Sequence, residues 1–178
     1  MPRLFAAIRP PAEVRDALID TMEGLDAARW QGEDQLHLTL RFVGEVDNAA
    51  AADLADALGR IAFAPFVLAL RGVGAFERKG RAHTLWAGVA DSAELLALQK
   101  KVERACQACG LEPERRKFAP HVTIARLGRA SGEIGGWLAA HQRFASEQWT
   151  VDEFRLYESV LGAGGAHYDP VVRYPLRG

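Results

Sequence analysis

His37-Leu38-Thr39-Leu40 and its near copy His121-Val122-Thr123-Ile124 each set an imidazole and a hydroxyl two residues apart inside an apolar run. On a β-strand, residues i and i+2 share a face. Each stretch therefore projects a proton-transfer group and a hydrogen-bonding hydroxyl side by side, while Leu38, Leu40, Val122 and Ile124 turn into a core. The 178 residues hold five histidines and five threonines, so chance gives roughly 0.14 His-x-Thr triplets and two of them about one time in a hundred. Duplication or function explains the pair better than accident, and two such pairs can make one acid/base site.

Counting outward from the first motif, Leu36, Leu38, Leu40 and Phe42 fall on one face and His37, Thr39 and Arg41 form a row on the other, a row suited to an anion. The same count around the second motif leaves His121 and Thr123 on the open face. It puts Arg126 with Val122 and Ile124 on the core side, so that Arg126 reaches a cleft only past a bulge or a strand end. Pro120 favours an extended start to this strand.

Strands and helices alternate through the rest of the chain. Leu4 to Ile8 reads as a first strand, followed by a helix opened by Pro10-Pro11 with Val14, Leu18, Met22 and Leu25 on one face. Asp47-Asn48 caps a second helix bearing Leu54, Leu58 and Ile61. Phe66 to Arg71 and Thr84 to Val89 read as strands around a turn containing Arg78-Lys79-Gly80-Arg81, which either attracts a nucleic-acid strand or is a solvated loop. Leu95, Leu98, Val102, Ala105 and Cys109 mark a third helix, with a capping-box-like start at Asp91 and Glu94 and a stop at Gly110. A short helix around Trp137 leads to strands at Val151 to Ser159 and Tyr168 to Tyr174. The two halves echo each other, and no linker divides them, so residues 1–178 are expected to form one domain of two lobes.

Composition excludes several classes. A hydrophobic content of 49% suits an ordinary core, and a formal charge of -1 argues against gripping long duplex by neutralising many phosphates. A nucleic-acid end or a mononucleotide fits that balance. The N-terminal stretch lacks the apolar region of a signal peptide and no apolar run reaches about 18 residues, so a cytoplasmic protein without membrane contact is expected. Cys106 and Cys109 form a C-x-x-C, but no second pair exists and both fall on the helical pattern, which favours packing over redox or zinc chemistry. Gly162-Ala163-Gly164-Gly165 lacks the Lys-Ser/Thr of a phosphate loop and reads as a hairpin turn. His83, His141 and His167 have no partner motif, and Trp30 and Trp86 read as core.

The paired motifs, extended to Phe42-Val43-Gly44-Glu45 and to Phe118-Ala119-Pro120 with Ala125-Arg126, resemble the two signatures of the two-histidine (2H) phosphoesterase superfamily. The LigT-like RNA 2',3'-cyclic phosphodiesterases, also called the 2'-5' RNA ligase family, are the most similar branch. Arg3 to Ile8, Leu85 to Val89, Leu156 to Ser159 and Gly164 to Tyr168 carry the likeness over nearly the whole chain. Arg41 departs from it, standing where many members have a small residue.

The resemblance implies a bilobal α+β fold with pseudo-twofold duplication, two antiparallel β-sheets facing across a central cleft with helices outside. It implies metal-independent hydrolysis of an RNA terminal 2',3'-cyclic phosphate to a 2'-phosphate, with weak reverse 2'-5' ligation, no cofactor, and an RNA 3' end as the only partner of a monomer. His37 is then the proton donor and His121 the proton acceptor, with Thr39 and Thr123 holding phosphate oxygens; the near-symmetric motifs themselves leave the two roles open. The chemistry suits the residues, since an imidazole titrating near 6.5 can supply one neutral and one charged ring near neutral pH. Arg126, Arg41, Phe118 and Tyr157 are the candidate substrate contacts, as a phosphate clamp and a stacking face for the terminal base. Two other readings stand beside this one: a phosphodiesterase for a small cyclic phosphate, and a non-catalytic nucleotide-binding module, which the intact His and Thr of both motifs disfavour.

Overall fold

Leu38 stands opposite Val122 in the only register pair between the strands that carry the two motifs. The computed structural model describes residues 1–178, and its architecture spreads from that joint. On one side lie β3 (Leu38–Glu45), β1 (Arg3–Ile8), β9 (Glu153–Gly162) and β10 (Gly165–Pro175). On the other lie β7 (His121–Arg126), β6 (Arg81–Val89) and β5 (Leu70–Arg78), with the two-residue β2 (Arg29–Trp30) paired to β7. All these pairings are antiparallel. β1 and β3 share six register pairs and β6 and β7 share five, against one at the joint. Two sheets thus meet along a one-residue seam, the two-lobed α+β arrangement that was expected.

Helices cover the outer side. α3 (Ala93–Ala108) packs on β3, α2 (Asn48–Gly59) on α3 and β10, and α4 (Gly135–His141) on β5. The Trp137 indole N–H on α4 donates to the Thr21 carbonyl at 2.8 Å, just beyond α1 (Ala12–Ile19). A single cluster of 29 buried residues runs under them. The Asp47 carboxylate caps α2 by accepting from the Ala50 N–H, and Ser92 rather than Asp91 caps α3, accepting from Leu95. α1 stops at Ile19, where the Thr21 hydroxyl donates to the Leu18 carbonyl; Met22 and Leu25 reach the core from the following loop. Cys106 is fully buried, which pushes its thiol up to about 11, in keeping with a packing role for the pair. No helix is long and apolar enough to cross a membrane.

Two expected strands divide. β4 (Phe66–Leu68) pairs with β8 (Trp149–Val151) in a separate two-stranded sheet. At the breaks, the carbonyls of Ala69 and Asp152 accept from Ala90 and Leu176 instead of continuing one ladder. Both glycine turns are hairpins as read, and Lys79 and Gly80 take positive φ (53° and 75°) as a two-residue hairpin loop requires.

The decisive irregularity is a bulge that recurs at the same place in both motifs. Ala7 faces Thr39 but Ala6 faces Arg41, leaving Leu40 as the extra residue. Trp86 faces Thr123 but Leu85 faces Ala125, leaving Ile124 extra. An extra residue reverses parity beyond it, so Leu40 and Arg41, like Ile124 and Ala125, are all buried. This corrects the expected row: Arg41 does not stand with His37 and Thr39. Its guanidinium lies on the helix side, paired with Glu103 of α3 and donating to the carbonyls of Phe42 and Glu112. Glu103 also accepts from the Glu114 N–H at 2.8 Å, and its carboxyl is held below the usual range despite partial burial by the bond to Arg41 and that N–H.

Arg41→Ala leaves Glu103 half-buried without its counter-charge, so urea unfolding is expected to show a loss of about 1–3 kcal/mol. The KM for substrate should not change in the folded variant.

Candidate active site

Antiparallel pairing of Leu38 with Val122 sets His37 across from Thr123 and Thr39 across from His121, all on the face turned away from the helices. His37, Thr39, Thr123 and Arg126 line one cleft of about 310 Å³ together with Phe5, Phe42 and Tyr168, at the small end of the range for ligand pockets. His121 is not among the residues that line it.

His37 is held in an aromatic cage. Phe5, Tyr157 and Tyr168 stand edge-on to its ring at centroid distances of 5.7, 4.6 and 5.2 Å. The residue is 6% exposed, and neither ring nitrogen meets a hydrogen-bond partner in the protein. A buried polar group left without a partner is uncommon and calls for a functional explanation. Burial depresses the His37 pKa to about 4, against a smaller upward pull from the Gln35 carbonyl, which lies near the ring outside hydrogen-bonding geometry. Arg9 and Arg155 push the same way as burial, and Asp34 opposes them.

His121 differs in a way that matters chemically. Its Nδ1 lies 2.8 Å from the Ala119 carbonyl. A carbonyl only accepts, so Nδ1 carries the hydrogen and the neutral ring presents a bare Nε2. Phe76 meets the ring edge-on at 4.8 Å and Trp86 lies at 6.5 Å. Burial also lowers this pKa, with the Ala119 bond opposing and Arg126 reinforcing. Both imidazoles are therefore uncharged at neutral pH in the free protein, where the sequence reading expected one of them charged.

Arg126 reaches the cleft through the bulge at Ile124, as its parity required, and donates to the Thr84 hydroxyl at 3.2 Å. Its counterpart in the first motif is Phe42, likewise carried across by the bulge and covered by Arg3 at 5.3 Å from the ring centroid. Tyr157 does not offer a stacking face. It is 1% exposed and its own face is stacked on Phe5 at 5.2 Å, so it acts on His37 rather than on a base. Phe118 packs against the main core and is absent from the cleft lining. Trp86, expected in the core, is half-buried on the cleft face and lies over Gly74, where a Cβ would come within 2.3 Å of its ring. His167 stays outside, between Asp169 at 2.7 Å and Asp34 at 3.7 Å.

Arg3, Phe5, Phe42, Tyr168, Gln31 and Gln35 are cleft residues that strand parity did not single out. Aligning the two motifs through their bulges would have matched Phe42 to Arg126 and found it. No three His, Cys, Asp or Glu side chains converge in a geometry that would hold a metal ion.

Known proteins resemble this chain over most of its length. Residues 10–163 match the model of a family described as the 2'-5' RNA ligase superfamily. The chain is 38% identical over 165 residues to an Aeropyrum pernix protein named RNA 2',3'-cyclic phosphodiesterase, covering 88% of this chain and 89% of that one. It is 32% identical to a Geobacillus stearothermophilus protein of the same name, of whose length it spans 57% while 98% of this chain is covered. The crystal structure of Escherichia coli LigT complexed with 3'-AMP superposes over the full length of both chains, with a TM-score of 0.83 at 30% identity.

The depressed His37 makes stability acid-sensitive. Above pH 6.5 the ring is neutral folded or unfolded, whereas below it the unfolded chain gains a proton that the folded cage refuses until about pH 4. Urea unfolding should show about 3 kcal/mol of stability lost across that window by wild type beyond what His37→Gln loses. Parallel pH profiles for the two proteins would contradict the cage.

Proposed function

The chain belongs to the 2'-5' RNA ligase superfamily, and from that premise we propose that it hydrolyses the 2',3'-cyclic phosphate at the 3' end of RNA, leaving a 2'-phosphate. The observation that carries the reading is the pair of imidazoles set by one register pair, one of them with a bare Nε2. In the proposed reaction Nε2 of His121 removes a proton from water as its oxygen attacks phosphorus. The bond from phosphorus to the ribose 3' oxygen breaks, and His37 protonates that oxygen. Thr39 and Thr123 donate to the non-bridging oxygens, where charge gathers, and Arg126 balances it.

His37 serves as the acid only when charged. In the free protein its cage keeps it neutral. A phosphodiester anion entering between the rings raises its pKa by direct attraction and supplies the partner its nitrogens lack. Binding and proton uptake are thus coupled, so substrate should bind more tightly as pH falls from neutrality towards 5. Aromatic edges hold the ring in place without competing for its proton. The base of the terminal nucleotide is assigned to Phe42 and Tyr168 rather than to Phe118 and Tyr157. The protein works as a monomer in the cytoplasm without a metal, and weak ligation to a 2'-5' linkage is the same displacement with the 5' hydroxyl of a second RNA end attacking phosphorus in place of water.

His37→Ala and His121→Ala should each lower turnover of a cyclic-phosphate-ended oligonucleotide by about 10²- to 10⁴-fold, and the double variant should be little worse than either. Thr39→Val and Thr123→Val should weaken phosphate binding as well as rate. EDTA should leave turnover intact. Single His variants with wild-type rates would leave nucleotide binding as the better reading, and EDTA inactivation reversed by a divalent ion would replace acid/base chemistry with metal-assisted hydrolysis.

A further inference from the structure

A second concavity, about 1160 Å³ and larger than the cleft, runs between the β5–β6 turn and the connection from β7 to α4. The proposed chemistry does not use it. Its walls carry Arg78, Lys79, Arg81 and Arg129 against only two carboxylates, Glu77 and Glu133, in a chain whose net charge is -1. All four cations are exposed, and none is engaged in an ion pair. A two-residue turn at Lys79-Gly80 presents three of them together.

The groove adjoins the cleft. Arg126 lines the cleft and the next residue, Leu127, lines the groove. The Thr84 hydroxyl ties the two, meeting His83 Nδ1 at 2.8 Å on the groove side and accepting from Arg126 at 3.2 Å on the cleft side. Phe76 spans the same wall, 6.4 Å from the His83 ring and 4.8 Å from that of His121.

We propose that this groove holds the single-stranded RNA that leads away from the terminal nucleotide, with the four cations on its phosphates, so that the enzyme prefers an oligonucleotide to a mononucleotide. The inference rests on the cyclic phosphodiesterase reading of the cleft. A small cleft accepts one nucleotide. Unpaired arginines and a lysine beside it provide the sequence-independent attraction that a polyanion requires, and an aromatic and an imidazole along the shared wall offer surfaces for bases. A position beside a phosphate site, tied to it through Thr84, favours a nucleic-acid strand over an acidic protein segment, which would have no reason to start at the cleft.

The test compares wild type with the variant Arg78→Gln/Lys79→Asn/Arg81→Gln/Arg129→Gln, asparagine being chosen because Lys79 has positive φ. Substrates are a cyclic-phosphate-ended RNA of about eight nucleotides and a 2',3'-cyclic mononucleotide, across a range of salt, after thermal melts establish that the variant is folded. In wild type the log of kcat/KM for the RNA should fall with log salt at a slope of about -2 to -3, set by up to four phosphate contacts. In the variant that slope flattens and kcat/KM for the RNA drops at least tenfold, while the mononucleotide value stays within about twofold. Equal losses on both substrates, or none on the RNA, overturn the groove assignment while leaving the cleft chemistry standing. If wild type hydrolyses neither substrate, the cleft reading fails; fluorescence anisotropy with the same RNA ended in a 3'-phosphate then still decides the groove. Weaker binding by the variant supports it. Equal binding overturns it, as does equal competition by poly-glutamate, which would indicate an acidic protein partner.

Discussion

Antiparallel register across Leu38 and Val122 governs where every chemically active side chain of the cleft can stand. Two strands that touch at one pair and then part leave their motif residues on a shared face without closing the sheet over them. A longer ladder would flatten the two lobes into one surface with no room for a phosphate between the rings. No ladder at all would let the lobes drift and separate the two histidines. The bulges at Leu40 and Ile124 follow from the same geometry, since each bends its strand away just past the threonine.

Local electrostatics then set two nearly identical motifs apart. His121 has a carbonyl partner that fixes its tautomer and leaves Nε2 bare. His37 has three aromatic edges and no partner, and burial holds it neutral until an anion arrives. An imidazole in that setting changes protonation with its ligand, so in the proposed reaction the acid is assembled by the substrate that needs it. The energy involved, about 1.4 kcal/mol for each unit of pKa, is well within what one close phosphate charge supplies in a partly desolvated site.

Strand periodicity made the centre of the site legible from residues alone. His37, Thr39, His121 and Thr123 lie before the bulges, where a period of two holds without interruption. Arg41 lies after one, and a single inserted residue leaves no mark in composition or hydrophobicity, so parity assigned the cleft to Arg41 instead of Phe42. Arg126 showed the same problem from the other side, its known polarity conflicting with its apparent core position until the bulge at Ile124 resolved it. Tyr157 and Phe118 failed for a different reason. Whether an aromatic ring offers a free face depends on distant partners, here Phe5 behind Tyr157 and the main core beneath Phe118. The existence and faces of the helices were readable because apolar spacing is local, although α1 ends at Ile19, short of Met22 and Leu25, and Ser92 caps α3 in place of Asp91; the division of the strands at Ala69 and Asp152 was not readable, because backbone partners far along the chain decide it.

The central claim is that one phosphate sits between the His37 and His121 rings. A crystal structure with a nucleoside 2',3'-vanadate, which mimics the five-coordinate phosphorus of the displacement, tests it most directly. Both imidazoles should lie within about 2.7–3.2 Å of vanadate oxygens on opposite sides of the metal centre, with Thr39 and Thr123 on the oxygens between them. Vanadate held by only one of the two histidines, or bound away from the Leu38–Val122 joint, would contradict the account.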